Sequence, residues 1–190
     1  MPQVITDTGV LLHVDDGSFG SLLLSGEEWD RLNFTIQRQE QTQWCWAAVS
    51  TSIARFYDAG TSWTQCRVAG AELNSSTCCE DGSSSECNQP WYLDRALNRA
   101  GALAGMEAPP STGLGRAPDE IQDGRPVCVR IGWSGGGGHF IVIEGYRYDR
   151  EQVALEDPWY GSSDLPVNSF RTAYQGTGSW THTYLTKAPQ

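Results

Sequence analysis

Residues Gln39 to Tyr57, Gln-Glu-Gln-Thr-Gln-Trp-Cys-Trp-Ala-Ala-Val-Ser-Thr-Ser-Ile-Ala-Arg-Phe-Tyr, dictate where a core must form. From Cys45 onward the large apolar residues fall at Val49, Ile53, Phe56 and Tyr57. Offsets of four, seven and eight lie on one face of a helix, so the segment reads as a buried α-helix. Asp58-Ala59-Gly60 supplies the stop, with Gly60 available for the left-handed position after the helix. The polar run before Trp44 has no apolar period, which puts Cys45 at the helix N-terminus. There the unpaired N–H groups and the macrodipole favour a negative side chain, a setting that suits a nucleophilic thiolate. The competing reading is a small core residue that happens to start an apolar helix.

Distant residues decide between the two. His139 follows the glycines Gly135 to Gly138 and opens the apolar run His-Phe-Ile-Val-Ile-Glu-Gly-Tyr. Asp157 stands in Asp-Pro-Trp, after a second apolar run from Gln152 to Leu155. Gln39 lies six residues before Cys45. This order of Gln, Cys, His and Asp with a following Trp resembles the papain-like cysteine peptidases. The nearest likeness is to small bacterial members whose catalytic helix opens with Trp-Cys-Trp-Ala-Ala, a group that includes effector proteases secreted by plant pathogens. A more distant likeness is to the peptidases that process double-glycine bacteriocin leaders. The resemblance covers roughly residues 35 to 186.

The resemblance implies an α+β, two-lobe fold. A helical lobe over about 35–107 would carry Cys45, and an antiparallel sheet lobe over about 117–190 would carry His139 and Asp157. Thiolate attack needs a base within hydrogen-bond reach and a third group to hold that base's tautomer. Carried over residue by residue, Cys45 is the expected nucleophile, His139 the general base and then acid, and Asp157 the orienter. Gln39 and the Cys45 backbone N–H are the expected oxyanion donors. The expected function is cysteine peptidase, with a peptide or protein substrate, no cofactor and no metal. The same triad also serves acyl transferases and transpeptidases, and a catalytically silent peptide-binding module is a further alternative. Two positions depart from papain: Asp157 stands where papain has Asn, and Trp44 replaces a small residue, so a narrower cleft is expected. Trp159 is expected to shield the His–Asp pair from water. His13 and His182 read as structural.

The formal charge of −10 argues against nucleic acid or an anionic membrane as partner. No apolar stretch approaches the ~20 residues of a membrane helix. Met-Pro-Gln-Val-Ile-Thr-Asp at the start has no basic region and no long apolar core, so no signal peptide is expected there. A chain of 190 residues is expected to build one catalytic domain, here over 35–190, with residues 1–34 a docked extension, and to act as a monomer.

The six cysteines divide by position. Cys128 lies in Val-Cys-Val-Arg-Ile, where Val127, Val129 and Ile131 share one strand face and Cys128 takes the other as a free thiol. Cys66, Cys78, Cys79 and Cys87 form a cluster. Their spacing lacks the C-x₂₋₄-C bite of a zinc site, which leaves disulfides as the expectation. A bond between neighbours Cys78 and Cys79 would be strained, so two pairings stay open. Either points to an oxidising, secreted setting.

Along the rest of the chain, Gly9 to Leu24 reads as a hairpin, and Ser25 with Glu28 as a capping box that starts a short helix through Trp29 and Leu32. Thr64 to Leu73 reads as a second helix. A third opens at Asn88-Gln89-Pro90, with Asn88 as cap and Gly101 as stop. Ala108 to Pro118 is a connector, followed by a short helix from Pro118 to Gln122. Strands are expected at 127–133, 139–148, 152–156 and 179–187.

Overall fold

The computed structural model describes residues 29–190. The expected hairpin from Gly9 to Leu24 and the Ser25–Glu28 box lie outside the described residues. The elements run β1 (Asp30–Arg31), α1 (Cys45–Tyr57), α2 (Gln65–Leu73), α3 (Leu93–Arg99), β2 (Leu103–Glu107), α4 (Ala117–Gln122), β3 (Val127–Trp133), β4 (Gly138–Arg147), β5 (Gln152–Asp157), β6 (Gly161–Pro166), α5 (Val167–Ala173) and β7 (Gly178–Thr186). The sheet has the order β2-β7-β3-β4-β5-β6, with every neighbour antiparallel, and β1 pairs with the end of β4. This is an α+β fold.

The period-2 pattern of β3 explains how the sheet is covered. Val127, Val129 and Ile131 join Ile141, Ile143, Val153 and Leu155 in one core, against Val167 and Phe170 of α5. Cys128, Phe140 and Val142 face the opposite core, against α1, α2 and α3. The sheet is therefore buried on both faces. α1 is its central support: Trp46 through Ala54 are all buried, well beyond the single stripe that its apolar spacing predicts.

Several local expectations are corrected. No helix passes through Trp29 and Leu32. Asp30 and Arg31 are extended and pair with Tyr146 and Gly145. Tyr146 donates its hydroxyl to Asp30 at 2.6 Å, and Arg31 donates to Asp164 at 2.6 Å, so tertiary partners override the local helix signal. Gly60 is not left-handed. α1 ends because Asp58 turns extended at φ −140° and then accepts the Gly60 N–H on its own carboxylate. α3 starts at Leu93, not at Asn88, and Asn88 is engaged elsewhere. β2 places residues of the expected helical half on the sheet, where Leu103 to Glu107 pair with β7. β6 and α5 had no counterpart in the sequence reading. α2 does follow its signals: the Thr64 hydroxyl accepts the Arg67 N–H, and Asn74 closes the helix at φ +55°.

The cysteine cluster resolves into Cys66–Cys79 and Cys78–Cys87, and Cys45 and Cys128 are free. No helix among the described residues is long and apolar enough to cross a membrane. Non-reducing peptide mapping should recover those two bridges and no other. A Cys78→Ser, Cys87→Ser double variant should lose about 2–4 kcal/mol in a denaturant titration. An unchanged midpoint would mean that the staple contributes nothing to stability.

Candidate active site

Three elements converge at the N-terminus of α1. Cys45 is its first residue and is partly exposed. Trp44 occupies the capping position and makes no side-chain cap bond, so no side chain competes for the first helical N–H groups. His139 is the second residue of β4, and Asp157 is the last residue of β5. The β4–β5 ladder, with Val142 opposite Glu156 and Ile143 opposite Leu155, brings these two side chains together. His139 Nε2 lies 2.8 Å from Asp157 Oδ1. His139 and Cys45 line the same cleft, close enough for the Cys45 side chain to act on the charge of the imidazole. With Nε2 taken by Asp157, Nδ1 is the nitrogen left for the thiol.

The electrostatics fit this geometry. Burial opposes a charge on His139, but the hydrogen bonds to Asp157 and Cys45 and their charges outweigh it, raising its pKa from 6.5 to about 9. Burial likewise opposes ionisation of Asp157. The His139 hydrogen bond and charge, with the Tyr160 N–H and the Tyr174 hydroxyl, nevertheless hold its pKa below the ordinary carboxylate value. Asp157 is only 1% exposed, yet its Oδ1 accepts the Trp159 and Tyr160 N–H groups at 2.6 and 2.9 Å, and its Oδ2 accepts the Tyr174 hydroxyl at 2.7 Å. A buried carboxylate with this many donors stays charged.

Gln39 is buried beside Cys45 and His139. Its backbone N–H donates to the Pro158 carbonyl at 3.0 Å, which ties it to the segment after Asp157. Its side-chain Nε2 donates to the Gln41 and Thr42 carbonyls at 2.7 and 3.0 Å, and its Oε1 is buried without a partner. His182 is exposed, its Nδ1 bonded to the Thr181 hydroxyl at 3.0 Å.

Two open clefts of about 530 and 570 Å³ meet at Cys45. Trp46, Trp91, Phe140 and Tyr184 wall the first, and Gln39, His139 and Trp159 wall the second. Gly137 and Gly138 border both. Gly136 and Gly137 adopt φ of +94° and +81°, which lets the chain turn tightly into β4 without side chains across the cleft. Arg130 pins this loop by donating to the Gly137 carbonyl at 3.1 Å.

The structure corrects two expectations about aromatic residues. Trp44 does not narrow the cleft: it is 1% exposed, and its indole donates to the Cys87 carbonyl at 2.7 Å beneath the disulfide loop. Trp159 stays 43% exposed and serves Asp157 through its backbone. The rings around His139 are Trp133, stacked at 6.2 Å and 22°, and Tyr160, edge-on at 6.2 Å. Trp133 in turn stacks on Tyr174. Gly178 makes room for this stack, because a side-chain carbon there would sit 2.7 Å from the Trp133 ring. Tyr174, Trp133 and Tyr160 were missed from sequence. The only available signal was that Trp133 ends an alternating strand.

Comparisons with known proteins bear on the family and the fold. A family model described as papain-like cysteine protease AvrRpt2 matches residues 27–175. Among solved structures, the peptidase domain of Streptococcus ComA, a bifunctional ABC transporter involved in a quorum-sensing pathway, is 16% identical with a TM-score of 0.53, over 83% of this chain and 99% of that one. A double-glycine-motif protease from an AMS/PCAT transporter, in complex with its leader peptide, is 17% identical with a TM-score of 0.48, over 84% of this chain and 94% of that one. A C39-like peptidase from Bacillus anthracis is 13% identical with a TM-score of 0.49, over 84% and 96%. At such identities the ComA likeness speaks to the fold alone. A search of curated protein sequences gave no match.

The Tyr174 hydroxyl is the one side-chain donor to Asp157 besides His139 among the described residues. Tyr174→Phe should destabilise the protein by about 1.5–3 kcal/mol at neutral pH, the range for hydrogen bonds to charged groups. Asp157 has a depressed pKa, so its contribution is present above the ordinary carboxylate value and is lost as pH falls through the lower folded value. The deficit should accordingly shrink in acid. Urea titrations at neutral and acid pH measure it, and an equal deficit at both would exclude the carboxylate as its cause.

Proposed function

Because this chain belongs to the family of papain-like AvrRpt2 cysteine proteases, and is therefore a cysteine protease acting on peptides or proteins, we propose that Cys45, His139 and Asp157 are its catalytic triad. The observation that carries this reading is that Cys45 and His139 line one cleft while His139 is hydrogen-bonded to the buried Asp157. Cys45 attacks the scissile carbonyl as a thiolate paired with the His139 imidazolium. The tetrahedral intermediate collapses as His139 gives its proton to the leaving amine, and the acyl-enzyme is released by water that His139 deprotonates. Asp157 holds the imidazole tautomer and supports its positive charge.

The Cys45 N–H, free of an intrahelical partner at the start of α1, is one proposed oxyanion donor. Gln39 is the other. Its amide nitrogen serves two carbonyls in the resting site, and the hydrogen now on Thr42, at the longer 3.0 Å, is the one proposed to pass to the oxyanion. The open clefts on both sides of Cys45 favour a working peptidase over a silent binding module. We assign the catalytic unit to residues 35–190 and take residues 1–34 as an extension attached to the sheet through β1. The two disulfides fit an oxidising compartment, in keeping with a secreted protease.

Cys45→Ala should abolish peptide hydrolysis. The alkaline limb of kcat/KM should fall near pH 9, where His139 loses its proton. Asp157→Asn removes a cause that raises this pKa, so its limb should move to lower pH. Its loss at the optimum should be on the order of ten- to a hundredfold, since an amide can still orient the ring. Asp157→Ala should lose more. Gln39→Ala should lower kcat with little change in KM, because its bond to the oxyanion forms in the transition state. Wild-type turnover in Asp157→Ala would remove Asp157 from the mechanism.

A further inference from the structure

The loop stapled by Cys78–Cys87 has no part in the triad, but it runs directly alongside the nucleophile segment. The three consecutive residues Cys87, Asn88 and Gln89 each bond to that segment. The Cys87 carbonyl accepts the Trp44 indole N–H at 2.7 Å, and the Gln89 carbonyl accepts the Trp46 indole N–H at 3.0 Å, so the residues on both sides of Cys45 are held. Between them, Asn88 Oδ1 accepts the Gln43 backbone N–H at 2.9 Å, and Asn88 Nδ2 donates to the Thr42 hydroxyl at 2.9 Å. Cys87 itself is fully buried.

Thr42 and Gln43 are the central residues of a turn that the Trp44 N–H closes onto the Gln41 carbonyl at 3.1 Å. The Gln41 and Thr42 carbonyls of this turn hold the Gln39 amide, and the turn leads into the first N–H of α1. One side chain thus fixes both middle residues of the turn on which both proposed oxyanion donors rest. His139 and Asp157 lie on β4 and β5, and the Asn88 side chain is hydrogen-bonded to neither.

We infer that Asn88 is a positioning residue for the oxyanion hole, through which the disulfide-stapled loop sets the Gln39 amide and the Cys45 N–H. The inference rests on the oxyanion roles proposed above. Losing an oxyanion donor costs about 10²–10³ in kcat, and a donor displaced but not removed costs less, so a fall of roughly tenfold is expected on losing Asn88.

The test compares Asn88→Ala, Asn88→Asp, Thr42→Val and Gln39→Ala for kcat and KM on one peptide, and for the rate at which iodoacetamide alkylates Cys45. Alkylation displaces iodide at a saturated carbon and forms no oxyanion, so it reports the thiolate and His139 alone. Asn88→Ala should lower kcat roughly tenfold, with KM within about twofold and alkylation at the wild-type rate. Asn88→Asp should recover most of the loss, since its carboxylate accepts from both Gln43 N–H and the Thr42 hydroxyl. Thr42→Val, at an exposed position, should show a smaller kcat loss and decides the matter if Asn88→Ala does not fold. Wild-type kcat in Asn88→Ala and Thr42→Val alongside a slowed Gln39→Ala would overturn the inference and leave the oxyanion reading standing. Wild-type kcat in Gln39→Ala would overturn both. A parallel fall in alkylation and kcat would also overturn it, because the loop would then be supporting the nucleophile and not the oxyanion.

Discussion

The bond between His139 and Asp157 depends on the register of two strands. His139, Ile141 and Ile143 share one face of β4, and Val153, Leu155 and Asp157 share the same face of β5. A slip of one residue would turn Asp157 to the opposite face and put Glu156 in its place. The apolar members of each set, fully buried, are what hold that register. The polar pair at the strand ends is thus placed by the packing of aliphatic residues further along the same strands. β5 can afford no polar substitution at Leu155 without disturbing the carboxylate two residues on.

The second dependence is covalent. The cystine Cys78–Cys87 anchors the loop that grips Trp44 and Trp46, and with them the start of α1. The role proposed for Cys45 calls for a free thiol in the same protein. These opposite redox demands are met by separation. Cys128, the other free cysteine, is fully buried in the core, and burial pushes its thiol pKa far up, so it offers no thiolate for exchange. The four cystine sulfurs are committed to each other in the α2 region. Among the described residues, Cys45 is then the one free thiol that is not fully buried.

Legibility from sequence followed burial. α1, β3, β4 and β5 carry long apolar patterns because each is buried on at least one face, and their ends were readable within a residue or two. β6 reads Gly-Ser-Ser-Asp-Leu-Pro and lies at the edge of the sheet, mostly exposed, so nothing in its composition marks a strand. α5 buries only Val167 and Phe170, too few to show a period, yet it delivers Tyr174 to Asp157. β2 is an edge strand with Gly105 at its bulge. Asn88 looked like a helix cap because a cap and a turn brace use the same short polar side chain. Which N–H it meets is decided by the tertiary position of Gln43, and no local rule contains that. The proposed triad came from a different kind of signal: the residue types and order of Gln39, Cys45, His139 and Asp157 resemble a family motif, and the fold brings Gln39, Cys45 and His139 to one cleft with Asp157 bonded to His139.

The segment that leads to Gln39 shows how charge is managed close to the site. Glu144 and Glu156 are both buried, on neighbouring strands, and Asp164 lies beyond them on β6. Burial, then the charge of Glu156, raises the Glu144 pKa to about 7 against the pull of Arg31. A carboxyl group raised in this way adds no penalty below its ordinary value of 4.5 and weakens the fold as pH rises through about 7, the reverse of Asp157. The cluster is made tolerable by what it holds. Arg31 donates to Asp164 and lies 3.7 Å from Glu144, while Glu156 accepts the Ile36 N–H at 3.1 Å. The Gln37 N–H then reaches Ser52 of α1 at 2.8 Å, and the Gln39 N–H reaches Pro158 at 3.0 Å. Of these carboxylates, Glu156 serves as acceptor for the chain between β1 and α1, and Asp164 and Glu144 face the Arg31 guanidinium. Replacing Glu156 by an apolar residue would relieve the repulsion on Glu144 but leave the Ile36 N–H without its acceptor, three residues before Gln39. The repulsion persists because the Ile36 N–H needs Glu156 there.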